Sequence, residues 1–152
     1  MTTLSARKKA AIIQAGIELF QRHGFQGTSM DAIAAEAEVS KRTVYNHFSS
    51  KQDLFESIAF SVWESANEAT DVVYDPLKPL TAQLHELAMK ELELVSNVEF
   101  LKLTRVLMAE LIHAPDMAQA ILARFDQEQS SLTLWMQQAS REGGLNIEDS
   151  KE

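Results

Sequence analysis

From Ser40 the chain reads Ser-Lys-Arg-Thr-Val-Tyr-Asn-His-Phe-Ser-Ser-Lys, ending at Lys51. Lys41 and Arg42 supply cations for phosphate or guanine. Thr43 and Tyr45 supply hydroxyls for phosphate or base edges, and Asn46 suits the donor and acceptor pair of adenine. In a helix, Val44 and Phe48 lie one turn apart on one face and leave Arg42, Thr43, Tyr45, Asn46 and His47 outside. Any amphipathic helix has this spacing, so the residues bear on nucleic acid only if neighbouring elements hold them at a groove.

Other chemistries find little support. Cysteine is absent, which excludes disulfides, thiolate nucleophiles and Cys-based metal sites. His23, His47, His85 and His113 are scattered, and no carboxylate pair has a catalytic spacing. Glu91 and Glu93 point about 200° apart on a helix. No Ser or Thr sits in a recognisable nucleophile setting. We therefore expect no enzyme, no metal and no cofactor.

The elements that must position residues 41–48 read as helices. The 152 residues are 45% hydrophobic with five Gly and three Pro, the profile of an all-α globular chain. Ala10, Ile13, Ile17 and Phe20 predict a first helix over 6–23 that Gly24 stops, with Phe25 folding back on it. Thr28, with Asp31 three positions on, predicts the start of a second helix carrying Met30, Ile33, Ala34 and Ala37 inward. Glu38-Val39-Ser40 is a three-residue turn, and Ser40 caps a third helix, Lys41 to Phe48. Ser49-Ser50 break and cap again before a fourth helix over about 51–73.

Asp75-Pro76-Leu77-Lys78-Pro79 is the one concentrated breaker stretch in the middle and reads as a linker. Leu80, Leu84, Leu87 and Leu94 then predict a helix over 80–96. Phe100, Leu103, Leu107 and Leu111 predict another over 98–113. Pro115 opens a single long helix to about Arg141, carrying Ile121, Leu122, Phe125, Leu132 and Trp135, and Gly143-Gly144 end it.

Charge divides along the same line. Residues 1–51 hold seven Lys or Arg against four Asp or Glu, a net of +3, and the remainder carries −11. A basic head on an acidic body suggests that only the head meets a polyanion. Arg7-Lys8-Lys9 before Ala10-Ala11-Ile12-Ile13 imitates a signal peptide, but Gln14, Glu18, Gln21 and Arg22 interrupt the apolar run. No stretch approaches the roughly 18 apolar residues of a membrane span, so a soluble, cytoplasmic protein without membrane contact is expected.

Two short helices joined by a three-residue turn and resting on a preceding helix form a helix-turn-helix. The stretch Gly24-Phe25-Gln26-Gly27-Thr28-Ser29-Met30-Asp31-Ala32-Ile33-Ala34, leading into Val39-Ser40 and residues 41–51, strongly resembles the DNA-binding domain of the TetR/AcrR family of bacterial transcriptional regulators. The resemblance covers about residues 6–66, with the helix-turn-helix at 29–48. It implies a three-helix DNA-binding head, a connecting fourth helix, and an effector-binding, dimerising helical body over 67–152. It assigns DNA contacts to Thr43, Tyr45, His47 and Lys51, with Lys41 and Arg42 tuning sequence preference and Arg7 and Lys8 reaching the backbone. Ser29, Ser40 and Asn46 complete the candidate set.

Two departures stand out. Where the family often has Gly in the turn, this chain has Glu38, and a left-handed backbone there costs about 1 kcal/mol. Family members also usually continue for several tens of residues past the point reached by Glu152. The resemblance therefore implies an incomplete or shortened body, with Glu148-Asp149-Ser150 opening a further helix.

The implied function is a regulator, acting as a repressor, that binds a palindromic operator as a homodimer and is released by a small apolar or amphipathic effector. Phe60, Trp63, Leu84, Arg105, Met108 and Phe125 are candidates to line the effector pocket, with Met89, Leu107, Trp135 and Met136 in a wider set. Each of these is also ordinary core, and Arg105 has Glu99 and Glu110 within helical reach as alternatives to an anionic effector. A second reading stays open, a helical interaction protein that pairs with another regulator as a heterodimer.

Overall fold

In a computed structural model, which describes residues 3–127 and 129–145, the chain forms eight helices among the described residues. They are α1 (Leu4–His23), α2 (Met30–Glu36), α3 (Lys41–His47), α4 (Lys51–Ala69), α5 (Leu80–Ser96), α6 (Val98–His113), α7 (Pro115–Gln127) and α8 (Ser131–Arg141). The expected all-α class and the order of the first six helices hold. Glu148-Asp149-Ser150 lie outside the described residues.

Side-chain caps fix most of the starts. Thr3, Ser29, Ser40, Ser50, Asn97 and Ser130 each accept a backbone N–H of the first turn, satisfying donors that a helix cannot pair internally. At α2 the cap is Ser29 rather than the expected Thr28. The Thr28 hydroxyl is buried and donates instead to Gly24 O at 2.8 Å. Asp53 completes a reciprocal box at α4, giving its N–H to Ser50 Oγ and accepting from Ser49 N at 2.8 Å. Gly24, at φ 71, ends α1 as expected.

The buried stripe of α1 is Ile12, Ala15, Gly16, Leu19 and Phe20, a different phase from the expected Ala10, Ile13 and Ile17. Ala10 is exposed, while Ile13 and Ile17 sit half-buried at the core's edge. The shift follows from α4, which approaches so closely that a Cβ on Gly16 would lie 3.1 Å from Leu54 Cδ2. That contact centres the interface on Ala15-Gly16.

Two further boundaries differ. α4 ends at Ala69 rather than near Val73, where the Thr70 hydroxyl turns back to Ala66 O at 2.9 Å. The expected long helix after Pro115 is two helices, because Ser130 caps a new start and Ser131 is held by α4. Ser131 N donates to Asn67 Oδ1 at 3.2 Å and its hydroxyl to Asn67 O at 3.1 Å. The linker 75–79 is pinned by Gln83, which is 2% exposed. Its amide accepts from Asp75 N and donates to Asp75 O and Lys78 O.

α4 packs against α1 on the head side and against α5, α6, α7 and α8 in the body. One core accordingly runs through both parts. Ile12, Phe20, Ile33, Val44, Phe48, Leu54, Phe55 and Ile58 of the head are continuous with Leu107, Met117 and Ile121 of the body. A second cluster gathers Tyr74, Leu87, Trp135 and Ala139, with Tyr74 edge-on to Trp135 at 5.6 Å.

Candidate nucleic-acid interface

α3 is seven residues long and depends on its neighbours for its position. Val44 and Phe48, at 0% and 2% exposure, plug it into the core against α1 and α2. Arg42, Tyr45 and Asn46 are exposed, and Thr43 and His47 are half-buried at the edges. The expected division of faces is therefore what the helix adopts. Ser40 Oγ accepts from Thr43 N at 3.1 Å and also meets Thr43 Oγ1 at 2.8 Å, which fixes both the start of α3 and the Thr43 rotamer.

The turn into α3 has a backbone constraint. Glu38 sits at φ 53, in the left-handed region that its position suggested, and its N–H donates to Ala35 O at 3.2 Å. The side chain itself is exposed.

Two of the candidate cations, Lys41 and Lys51, are engaged within the protein, as is Arg22. Lys41 Nζ lies 2.7 Å from Asp31 Oδ1, so the first cation of α3 is bound to α2. This hydrogen-bonded carboxylate raises the Lys41 pKa. Arg22 bridges Glu36 at 2.6 Å and Glu18 at 3.1 Å, clamping α1 to the end of α2, and Glu36 foremost raises its pKa.

Lys51 occupies a place the sequence did not disclose. Its Nζ donates to Phe25 O at 2.6 Å and Thr28 O at 2.9 Å and lies 4.4 Å from the Phe25 ring centroid. Two of its three N–H groups thus hold the loop between α1 and α2. Phe25 folds back as expected, packing on Phe20 at 5.5 Å and Phe55 at 5.1 Å. Gln26 Nε2 of the same loop donates to Glu110 Oε1 of α6 at 3.2 Å, a polar tie between head and body.

Arg7, Lys8 and Arg42 make no ion pair among the described residues. Lys9 was not singled out in the sequence, yet its Nζ lies 5.9 Å from the Phe48 ring centroid, which sets it beside the end of α3. Its signal was positional, since it belongs to the same basic run as Arg7 and Lys8.

Phe60 and Trp63 of α4 and Phe125 of α7 come together in an aromatic stack. Trp63 stacks on Phe60 at 5.4 Å and on Phe125 at 5.5 Å, and the Arg124 guanidinium covers Phe60 at 4.1 Å. Leu84, Arg105 and Met108 do not join them. They lie on exposed faces of α5 and α6, because Leu87 and Leu107 take the buried positions of those helices. Glu99 pairs with Lys102 at 2.8 Å and Glu110 accepts from Gln26, so neither carboxylate partners Arg105. Of the wider set, Trp135 lines a groove of about 320 Å³ between the end of α4 and α8.

Comparison with known proteins identifies this arrangement. Residues 12–58 match the family model for bacterial regulatory proteins of the tetR family, and residues 82–151 match that for the AefR-like transcriptional repressor C-terminal domain. A TetR family transcriptional regulator from Pseudomonas syringae pv. tomato is 41% identical in its crystal structure, with a TM-score of 0.72 over 92% of this chain and 70% of that one. The chain belongs to the TetR family.

The flavonoid-responsive regulator FrrA is 29% identical, with a TM-score of 0.72 over 94% of this chain and 73% of that one. The HTH-type transcriptional repressor SCO4008 of Streptomyces coelicolor is 42% identical over 50 residues, 33% of this chain and 26% of that protein. The chain spans 47% and 26% of the first two curated relatives it matches. Its curated relatives carry names of HTH-type transcriptional regulators and repressors. Among the described residues no helix is long and apolar enough to cross a membrane.

Proposed function

We propose that this TetR-family chain is a repressor that binds a palindromic operator as a homodimer through α3. The head over 6–66 reads DNA, and the body over 67–152 pairs two copies and takes a small apolar or amphipathic effector. The face of α3 carries the reading: Arg42, Tyr45 and Asn46 stand outward while Val44 and Phe48 are locked in the core. Arg42 and Asn46 contact base edges, Tyr45, Thr43 and Ser29 contact phosphate, and Arg7, Lys8 and Lys9 reach the backbone from α1. Lys51 and Ser40 act mainly by holding the loop and the helix start from which those contacts are made.

Support for pairing comes from the body's surface. Leu92 at 56%, Val98 at 62% and Ile112 at 76% exposure leave apolar area on α5 and α6 that a second helical surface covers. Support for repression comes from the names of SCO4008 and of the C-terminal family model. The effector acts by preferring a body shape that moves two reading helices away from one-turn spacing. Such action on DNA takes place in the cytoplasm.

Selection of duplexes from a random DNA library by the purified chain, at moderate salt, tests the reading. An enriched palindrome supports the homodimeric reader. An enriched half-site overturns self-pairing and favours the heterodimer partner, and no enrichment overturns the DNA reader itself.

A further inference from the structure

The groove between α4 and α8 differs in character from the aromatic stack around Trp63. Val72, Leu134 and the Trp135 indole give it apolar walls, while Asn67, Glu68 and Asp71 line its α4 side. Among the described residues no Lys or Arg lines it. Glu68 and Asp71 make no ion pair among the described residues, and Lys90 spends its Nζ on the Asp71 backbone carbonyl at 2.7 Å. Trp135 is 2% exposed, and its Nε1–H has no acceptor among the described residues. A buried indole donor without a partner is uncommon, and here it belongs to a residue of the groove wall.

We propose that this groove binds a small amphipathic organic cation, and that such a molecule is the effector. The apolar body of the ligand lies against Val72, Leu134 and the indole, and its ammonium group faces Glu68 and Asp71. At about 320 Å³ the groove is of the size that holds a small ligand. The net charge of −11 outside residues 1–51 adds a field that draws cations and repels anions.

The floor of the groove also gives occupancy a way to be felt. Asn67 joins α4 to the start of α8 through Ser131, and α4 continues to Lys51, which grips the loop before α2. A ligand wedged beside Asn67 therefore bears on the helix that carries the head. This last step rests on the effector-released repressor proposed above, whereas cation binding does not.

The test uses three probes with one apolar body: phenylbutylamine, phenylbutanol and phenylbutyrate. Trp63→Phe leaves Trp135 as the sole tryptophan, so its fluorescence reports the groove directly. The amine is expected to bind about tenfold more tightly than the alcohol, with the carboxylate weakest, and added salt weakens the amine alone. Glu68→Gln and Asp71→Asn, both at exposed positions, each weaken the amine about threefold and leave the alcohol unchanged. Equal binding of amine and alcohol, preference for the carboxylate, or no change at Trp135 with any probe overturns the site. The operator from the library selection then separates the two claims. Amine binding at Trp135 that leaves DNA affinity unchanged overturns effector control by this groove. DNA release by a probe that does not perturb Trp135 overturns the groove and keeps an effector elsewhere.

Discussion

Replacing Lys51 with Met keeps the alkyl stem and removes only the ammonium, so it isolates the bonds to Phe25 O and Thr28 O. Hydrogen bonds from a charged donor contribute about 1.5–3 kcal/mol each. Lys51 is only half-buried, and Phe25 O keeps a longer bond from Thr28 N at 3.3 Å, so the pair is worth less than that sum. A cost of about 2–3 kcal/mol follows, which in a chain of this size lowers Tm by about 4–12 °C. Thermal melting followed by circular dichroism measures it. DNA affinity measured well below the lowered Tm shows whether Nζ also meets phosphate. With Lys51 acting through the loop, the slope of log affinity against log salt changes by much less than one contact. An unchanged Tm together with a salt slope lower by about one would refute the reasoning, since Nζ would then be a phosphate ligand that the loop does not need.

Three further substitutions address the head. Asp31→Asn releases Lys41 from its ion pair and is expected to raise DNA affinity and steepen its salt dependence, and a loss of affinity in titrations at low salt speaks against Lys41 as a DNA contact. Glu38→Gly removes the strain of φ 53 and is expected to stabilise by about 1 kcal/mol, or about 2–4 °C in Tm; a melt no higher than the parent's contradicts the strain. Tyr45→Ala, at a residue 46% exposed, is expected to lower DNA affinity with Tm shifted by less than about 2 °C, and undiminished binding removes Tyr45 from the interface.

The head was legible because its signals are local. Gly24, Ser40, Ser50 and the Val44–Phe48 spacing each act within one turn, and the structure uses each as its type suggests. The phase of α1 was not legible, since Ile12, Ile13, Leu19 and Phe20 permit more than one stripe and the close approach of α4 at Gly16 chooses among them. The break before α8 depends on Asn67, sixty-four residues away from Ser131, and no local pattern announces such a partner. Lys51 and Lys41 read as free cations because their acceptors lie on other elements. Leu84 and Met108 carried the right chemistry for a pocket on helix faces that point outward.

The single core that joins head and body limits how far this regulator can be treated as interchangeable parts. Leu107, Met117 and Ile121 of the body close the same interior that Ile12, Phe55 and Ile58 open from the head. A head transplanted onto a foreign body would carry half of a jigsaw, and a chimera made at the end of α4 would inherit mismatched volumes rather than a clean joint. Exchange of DNA specificity is better sought by rewriting the outer face of α3 at the exposed Arg42, Tyr45 and Asn46, outside that shared interior.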